Sequence, residues 1–302
     1  MSVITSGAHP KALWPGVHAF AMGEYTTHPT EYSAIFTVEK SSMAYEEDVE
    51  TNGFGLVSVK TEGSAVAYEG HQQGFTKRYT HVAYAKGYIV TREEIDDNLY
   101  KSRSFNRAKM LAFSFRTTKE IVAANVLNRA FNSSYTGGDG KELLATDHPI
   151  LAGTFSNELS VAADLSEPSL EEILTQIMEA KNSQGLPIAI RAQKLIIPAA
   201  LAFNAERILK SSLQNDTANN SVNAIKSMGL LPGGAVVNHY LTDSDAWFVK
   251  TNVDNGLMMF MRTGYEFTQD NDFDTKNAKA MGYERYSVGW TDPRDVFGSA
   301  GA

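Results

Sequence analysis

Three observations predict an α+β fold with one long helix, one long exposed ribbon and a separate helix-and-sheet module. Between Gly87 and Gly137 lie 49 residues with neither glycine nor proline, a stretch that permits a long helix. Before it, from about Ala44 to Val90, Gly53, Gly55, Gly63, Gly70, Gly74 and Gly87 punctuate short runs rich in Val, Thr and Tyr, which is strand composition. After it, from about residue 186, short apolar runs alternate with a helical pattern.

Composition allows a sizeable core. The chain has 302 residues, 43% apolar and 21% charged, the make-up of an ordinary folded protein of about two domains or one elaborated one. Lys and Arg number 27 against 35 Asp and Glu, a net charge of −8, which argues against a protein whose main task is gripping phosphate backbones. Cysteine is absent, so disulfides, thiolate zinc sites and cysteine nucleophiles are excluded. No window of 18 uncharged apolar residues occurs, and Met1 to Phe20 carries no signal-peptide core, so the expectation is a chain that neither spans a membrane nor is exported by that route. No repeat period is visible.

Taken in order, residues 1 to about 38 combine His9-Pro10, Trp14-Pro15-Gly16 and His28-Pro29 with scattered aromatics, an extended arm with room for one short helix. Leu56 to Val59 and Tyr79 to Tyr84 then read as long, twisted, mostly solvent-facing strands. Two strands of about 12 residues would reach roughly 40 Å, and such a ribbon needs something to lie against. In the next stretch Ala108, Leu111, Ala112, Phe115, Ile121, Val122, Val126, Ala130 and Phe131 recur near the helical period, with Arg107, Arg116, Lys119 and Arg129 on the polar side. A helix from Ser104 to Phe131 would span about 42 Å and serve as a spine.

A turn at Gly137 to Gly140 leads to Asp147-His148-Pro149 and a polar loop with Asn157. Ser169-Leu170-Glu171-Glu172 has the spacing of a capping box, followed by Leu170, Ile173, Leu174, Ile177 and Met178 on one face and Gly185 as the stop. Lys194 to Ile197 reads as a buried strand, and Pro198 opens a helix through Lys210 with Leu201, Ala205, Ile208 and Leu209 inward. Gln214 to Ser221 is a polar loop. Val236-Val237, Trp247 to Val249 and Leu257 to Phe260 are short strands, and Tyr283 to Trp290 is the last one.

Motifs that would carry chemistry fail at particular positions. The phosphate loop fails because Gly140-Lys141 is followed by Glu142 and Tyr135 stands where the first glycine belongs. Gly53-x-Gly55 has Ser58 at the third dinucleotide-binding position. Asp270, Asp272 and Asp274 alternate as in a calcium loop, but Thr275 and Met281 occupy its glycine and glutamate positions. The seven histidines never fall at i, i+4 on a helix, so no zinc motif forms. Asp147-His148 is the one acid and histidine pair, and its adjacency before Pro149 favours a hydrogen-bonded turn over a catalytic dyad. Tyr45, Tyr68, Tyr79, Tyr84 and Tyr88 crowd the glycine-punctuated strands without the interleaved Arg and Lys of a base-stacking groove; protein contact and ordinary sheet packing both suit them. No catalytic, cofactor-binding or metal residue is assigned.

The order of these parts, over essentially the whole chain, resembles the major capsid proteins of tailed bacteriophages with the Hong Kong 97 fold, and within them the Mu-like head subunits. Three segments carry the resemblance. Thr91-Arg92-Glu93-Glu94-Ile95-Asp96-Asp97 is similar to the segment that leaves the extended loop and enters the spine helix. Leu144-Ala145-Thr146-Asp147-His148-Pro149, with Gly153 and Asn157, resembles the family's His-Pro motif. Gly282 to Trp290 and Thr291-Asp292-Pro293-Arg294 look like its closing strand and tail.

The resemblance implies an N-terminal arm (1–43), an extended loop lying across a neighbouring subunit (44–88), a peripheral domain with the spine helix (89–185), an axial domain (186–280), and a C-terminal strand returning to the peripheral domain with a tail (281–302). It further implies a non-enzymatic shell protein without cofactors, assembled in the bacterial host cytoplasm as hexamers and pentamers around double-stranded DNA that it contacts non-specifically. A separate scaffolding protein, a portal and a decoration protein are the other expected partners, with no membrane contact. Lys60, Tyr68, Lys77, Arg78 and Arg116 are the expected interface residues, Arg116 as an exposed spine-helix position. Some family members cross-link a loop lysine to a neighbour's asparagine; Lys60 and Lys77 fall in that region, but no surrounding motif matches and the chemistry is not carried over. Read without the resemblance, the residues leave two alternatives: a hydrolase or lyase using His148 and acidic residues, or another self-assembling virion component.

Overall fold

Two four-stranded sheets and one long helix organise the chain in a computed structural model that describes residues 14–27, 29–70, 73–93, 100–214, 221–272 and 274–302. Residues 1 to 13 and His28 of the expected arm, Glu94 to Asp97 of the segment entering the spine, and 215–220 of the expected polar loop lie outside the described residues.

The spine is α3, Tyr100–Asn128, of 29 residues and so about 43 Å long. It is preceded by α1 (Trp14–Thr27) and the single turn α2 (Tyr32–Ile35), so the arm contains more helix than expected. Ala108, Leu111, Ala112, Phe115, Ala123, Ala124 and Leu127 are buried, but Ile121 is exposed and Val122 and Val126 are only half-buried. Arg116 and Lys119, expected on the polar side, are buried as well. Helical spacing places both in the same stripe as Ala112, Phe115 and Ala123, and position overrides polarity only because each charge finds a partner. The Arg116 guanidinium donates to the Pro29 carbonyl, and Lys119 pairs with the Glu284 carboxylate at 3.1 Å and with the Tyr25 hydroxyl. Burial pulls the Lys119 ammonium down from its ordinary range and pushes the Glu284 carboxyl up.

Beneath α3 lies the first sheet: β1 (Thr37–Lys40), β10 (Leu257–Asn271), β11 (Ala278–Trp290) and β4 (Val82–Val90), in that order. β1 runs parallel to β10, and the other neighbours are antiparallel. Gly282 on β11 is where helix and sheet approach most closely, since a Cβ there would sit 2.6 Å from the Phe115 ring. Expected as a short strand, β10 has 15 residues, and it pairs along β11 rather than with the strands of 186–251.

The second sheet has the order β12 (Val296–Ser299), β9 (Trp247–Thr251), β7 (Ala192–Ile197) and β8 (Ala235–Val237). Its strands are covered on both faces, which is why they read as continuous apolar runs. Alternation sends Leu195, Ile197, Trp247, Val249 and Phe297 to one core and Ile196, Phe248 and Val296 to the other. The first core is filled by α4 (Glu167–Met178), α5 (Ala202–Lys210) and α6 (Ala224–Met228). The second is shared with α2, α3 and the first sheet, so one continuous packing joins the halves.

Local signals were shifted rather than absent. The N-cap of α4 is Ser166, with Ser169 at N3 completing the reciprocal box, in place of Ser169 capping with Glu172. Ser166 wins because Pro168 is compatible with the first turn and lets the helix start three residues earlier. The helix stops at Met178, which is exposed, and Gly185 serves a later turn at φ +81°. Pro198 opens a 3-10 turn, Ala199–Leu201, that runs into α5. No helix among the described residues is long and apolar enough to cross a membrane.

Candidate assembly interface

The expected extended loop divides into two unlike parts. β2 (Tyr45–Thr51) and β3 (Gln73–Thr80) pair antiparallel from Tyr45–Thr80 to Thr51–Gln73, while the last part of the predicted excursion belongs to β4 in the first sheet. The strands have seven and eight residues rather than about 12, because Leu56 to Val59 pairs with nothing that could make it a strand. From Gly53 to Gly70 the described chain is irregular, with a turn at Glu62-Gly63 and a hydrogen bond from Gly55 N–H to the Glu69 carboxylate at 3.0 Å. The side chains of this tip are open to solvent: Val57 is 97% exposed, Tyr68 95%, Val59 94% and Leu56 85%. A row of large apolar groups so exposed is unusual for a protein surface.

The base of the ribbon is tied to the body. Tyr79 is buried, edge-on to Phe260 at 4.9 Å, and shares a 2.6 Å hydrogen bond with the Thr291 hydroxyl. Lys77 donates to the Thr136 carbonyl at 3.0 Å and lies 4.8 Å above the Trp290 ring; burial pulls its ammonium below the ordinary lysine range. On the other strand Glu50 accepts from Arg294 at 3.2 Å and from the Ser183 hydroxyl at 3.1 Å, and Gln184 donates to the Gly53 carbonyl at 3.0 Å.

His81 occupies the single residue between β3 and β4. Its Nε2 meets the Ser41 hydroxyl and its Nδ1 the Ser287 hydroxyl, both at 3.0 Å. Ser41 gives its one proton to Glu46 at 2.5 Å, so Nε2 must donate to Ser41 and Nδ1 must accept from Ser287. Burial, joined by Arg285 and Arg262 and opposed by Glu46, lowers the His81 pKa.

The five expected residues therefore separate. Lys60 and Tyr68 stand exposed on the tip. Arg78 is exposed on the ribbon but held by Glu47 at 2.6 Å and by the Tyr45 ring at 4.2 Å. Lys77 faces the subunit's own body. Arg116 is a correction: it is buried and bonded within the subunit, because the 29–32 segment folds over that helix face, where Glu120 also accepts the Glu31 and Tyr32 N–H groups at 2.9 Å. Glu50, His81 and Arg294 were not singled out; the only sequence signal was the Asp292-Pro293-Arg294 turn, whose arginine had no visible reason to be buried.

At the His-Pro motif the neighbours point apart. Asp147 is exposed and bound to Lys141 at 2.5 Å, which holds its carboxyl below the usual range, while His148 is buried with Nδ1 2.6 Å from Asp139 and Nε2 3.1 Å from Asn157. Asn157 is wholly buried; it accepts from Ala145 N–H and donates to the carbonyls of Leu143, Pro293 and Val296 at 2.8–3.0 Å. This constellation braces the turn after the spine against the C-terminal segment, and the acid that pairs with His148 is Asp139 rather than the adjacent Asp147. Asp270 lies in β10, and beyond the strand Asp272 binds Lys279 at 2.5 Å and accepts the Asp274 N–H at 3.1 Å.

Comparison with known proteins places these features. The family model for phage capsid proteins matches residues 74–298. Among solved structures, the capsid of a native GTA particle superposes with TM-score 0.57 at 11% identity, covering 100% of this chain and 93% of the other. That of Mycobacterium phage Patience does so with 0.54 at 12%, covering 98% and 88%. A virus-like particle from Pyrococcus furiosus gives 0.54 at 11%, covering 94% and 98%. At these identities the likeness is one of fold. No curated protein matches the sequence.

Proposed function

The chain belongs to the phage capsid protein family and is a major capsid protein with a Hong Kong 97-like fold, and we propose that it assembles by laying its β2–β3 ribbon across a neighbouring subunit. Its function is to build the icosahedral shell around phage DNA, and family and fold are structural rather than catalytic. The observation that carries the ribbon reading is the apolar tip, Leu56 to Val59 with Tyr68, which its own subunit leaves uncovered. An isolated two-stranded ribbon is marginal in water, so burial of that tip on a second subunit would stabilise both ribbon and shell.

The finer parts of the reading go together. Subunits form hexamers and pentamers, with α4 to α6 and the second sheet as the axial domain and α3 with the first sheet as the peripheral domain, which departs from the expected bounds of 186–280 and 89–185 by giving α4 and β12 to the axial domain and β10 to the peripheral one, as their packing and pairing favour. Shell closure uses a separate scaffolding protein and a portal, a decoration protein binds outside, DNA is contacted non-specifically, and assembly takes place in the host cytoplasm. The subunit is of the Mu-like type and has no enzymatic activity. A modestly acidic subunit suits this role, since it avoids trapping the genome electrostatically.

Replacing residues 54–72 by a short turn tests the central claim. The expected variant folds with an unchanged far-UV spectrum but gives no shells by light scattering and negative-stain electron microscopy. Shells of normal size from that variant would overturn the reading.

A further inference from the structure

We propose that Arg294 is the positioning residue of the ribbon, fixing through Glu50 the direction in which the ribbon leaves the subunit. This rests on the ribbon being an assembly element, though the clamp itself is a property of the single subunit.

Arg294 lies in the turn Pro293–Asp295 just before β12, far along the chain from β2, and it is almost fully buried. Its guanidinium meets three polar groups and a ring. Nε donates to the Lys181 carbonyl at 3.0 Å, Nη1 donates to Glu50 at 3.2 Å and to Asp292 at 3.1 Å, and the group lies 5.2 Å over the Phe155 ring. Phe155 in turn packs edge-on against Phe297 at 5.8 Å, so the arginine is held by the axial core. Asp292 is half-buried, and its desolvation pushes its carboxyl up while Arg294 opposes the rise. A planar fork anchored at three points transmits orientation, which a lysine point charge does not.

Glu50 is the last acidic residue of β2 before the tip, and its Oε1 takes both Arg294 and Ser183. Beside the pair lies an open cavity of about 250 Å³ lined by Val49, Glu50, Gly53, Asn182, Asp254 and Asp292. The strand therefore has space to swing on this side, and what ties it to the body here is the Glu50 carboxylate, held by a fixed arginine and by Ser183, with Gln184 assisting at Gly53. Tyr79 and Lys77 pin the other strand of the ribbon, so loss of the Glu50 bond would twist the ribbon about β3 rather than detach it.

The chain has no cysteine, so paired labels can be placed at will. Spin labels at Glu47→Cys on β2, the strand expected to move, and Phe203→Cys on α5, both exposed positions, report the ribbon direction in the unassembled full-length subunit. The parent should give one narrow distance distribution. Glu50→Ala, which removes the acceptor oxygen, should broaden or shift it and lower shell yield at least about tenfold with a melting temperature close to the parent, because Glu50 is only half-buried at the subunit surface. Arg294→Lys should change distribution and yield in the same way, with a lower melting temperature because its side chain is buried. Glu50→Asp should keep part of the yield. Should Arg294→Lys fail to fold, Glu50→Ala decides. An unchanged distribution in Glu50→Ala would overturn the proposal, whatever the yield. A changed distribution with normal shells would leave the clamp standing and overturn the reading of the ribbon as an assembly element.

Discussion

The ribbon tip and the second sheet are built from similar residues and meet opposite fates. Leu56-Val57-Ser58-Val59 is almost wholly solvated, whereas Leu195-Ile196-Ile197 and Trp247-Phe248-Val249 are almost wholly buried. Strand propensity does not separate them. What does is the number of layers available: β7 and β9 have helices on one face and the spine-side core on the other, and the tip has neither within its own chain. On the proposed function, the apolar residues that the subunit leaves uncovered are covered by a second copy.

The largest effect that would sharpen this contrast is expected at Phe248. Phe248→Ala opens a void between the sheet and the 143–144 and 257–259 segments and should cost about 3–5 kcal/mol, read by urea titration. A loss under about 1 kcal/mol would mean that the second face is not a packed core. Next comes Asn157→Ala, which strands the carbonyls of Leu143, Pro293 and Val296 together with His148. At about 1–3 kcal/mol per buried group left unpaired, the subunit should lose at least about 2 kcal/mol, while Asp147→Asn, at the exposed neighbour, should lose almost none.

A smaller effect is expected from pH at His81. Because its folded pKa is lowered, the folded state resists protonation that the unfolded chain accepts. The stability His81 contributes is thus fully present above about pH 6.5 and is lost as pH falls below that value through the lowered folded pKa. Between pH 8 and pH 5.5 the parent should therefore lose stability relative to His81→Gln; parallel curves would refute the assignment. The smallest effect on the subunit itself belongs to Val57→Ser and Tyr68→Ser, each within about 0.5 kcal/mol in denaturant, although shell yield should drop sharply. A stability loss equal to that of Phe248→Ala would show that the tip is packed after all.

Much of the architecture was legible along the chain. The glycine-free stretch marks α3, because nothing in it interrupts a helix, and the apolar runs at 194–197 and 247–249 mark doubly covered strands. The exposed character of Lys60 and Tyr68 was legible too, since glycine-punctuated strands of low apolar continuity cannot be buried on both faces. The clamp at Arg294, the hydrogen-bonded bridge at His81 and the burial of Arg116 were not. Each depends on a partner between 40 and 244 residues away, and no local pattern announces such a pairing.

The sequence by itself determined the existence and kind of the main elements, the lack of any local catalytic motif, and the presence of apolar surface without local support. Periodicity, turn residues and composition act over a few residues, and those properties are local. Only the tertiary structure decided which sheet β10 and β12 join, which charges are buried, and how the ribbon is held to the body. Those outcomes are set by the free energy of bringing distant segments together, where one carboxylate facing one guanidinium is enough to choose a direction.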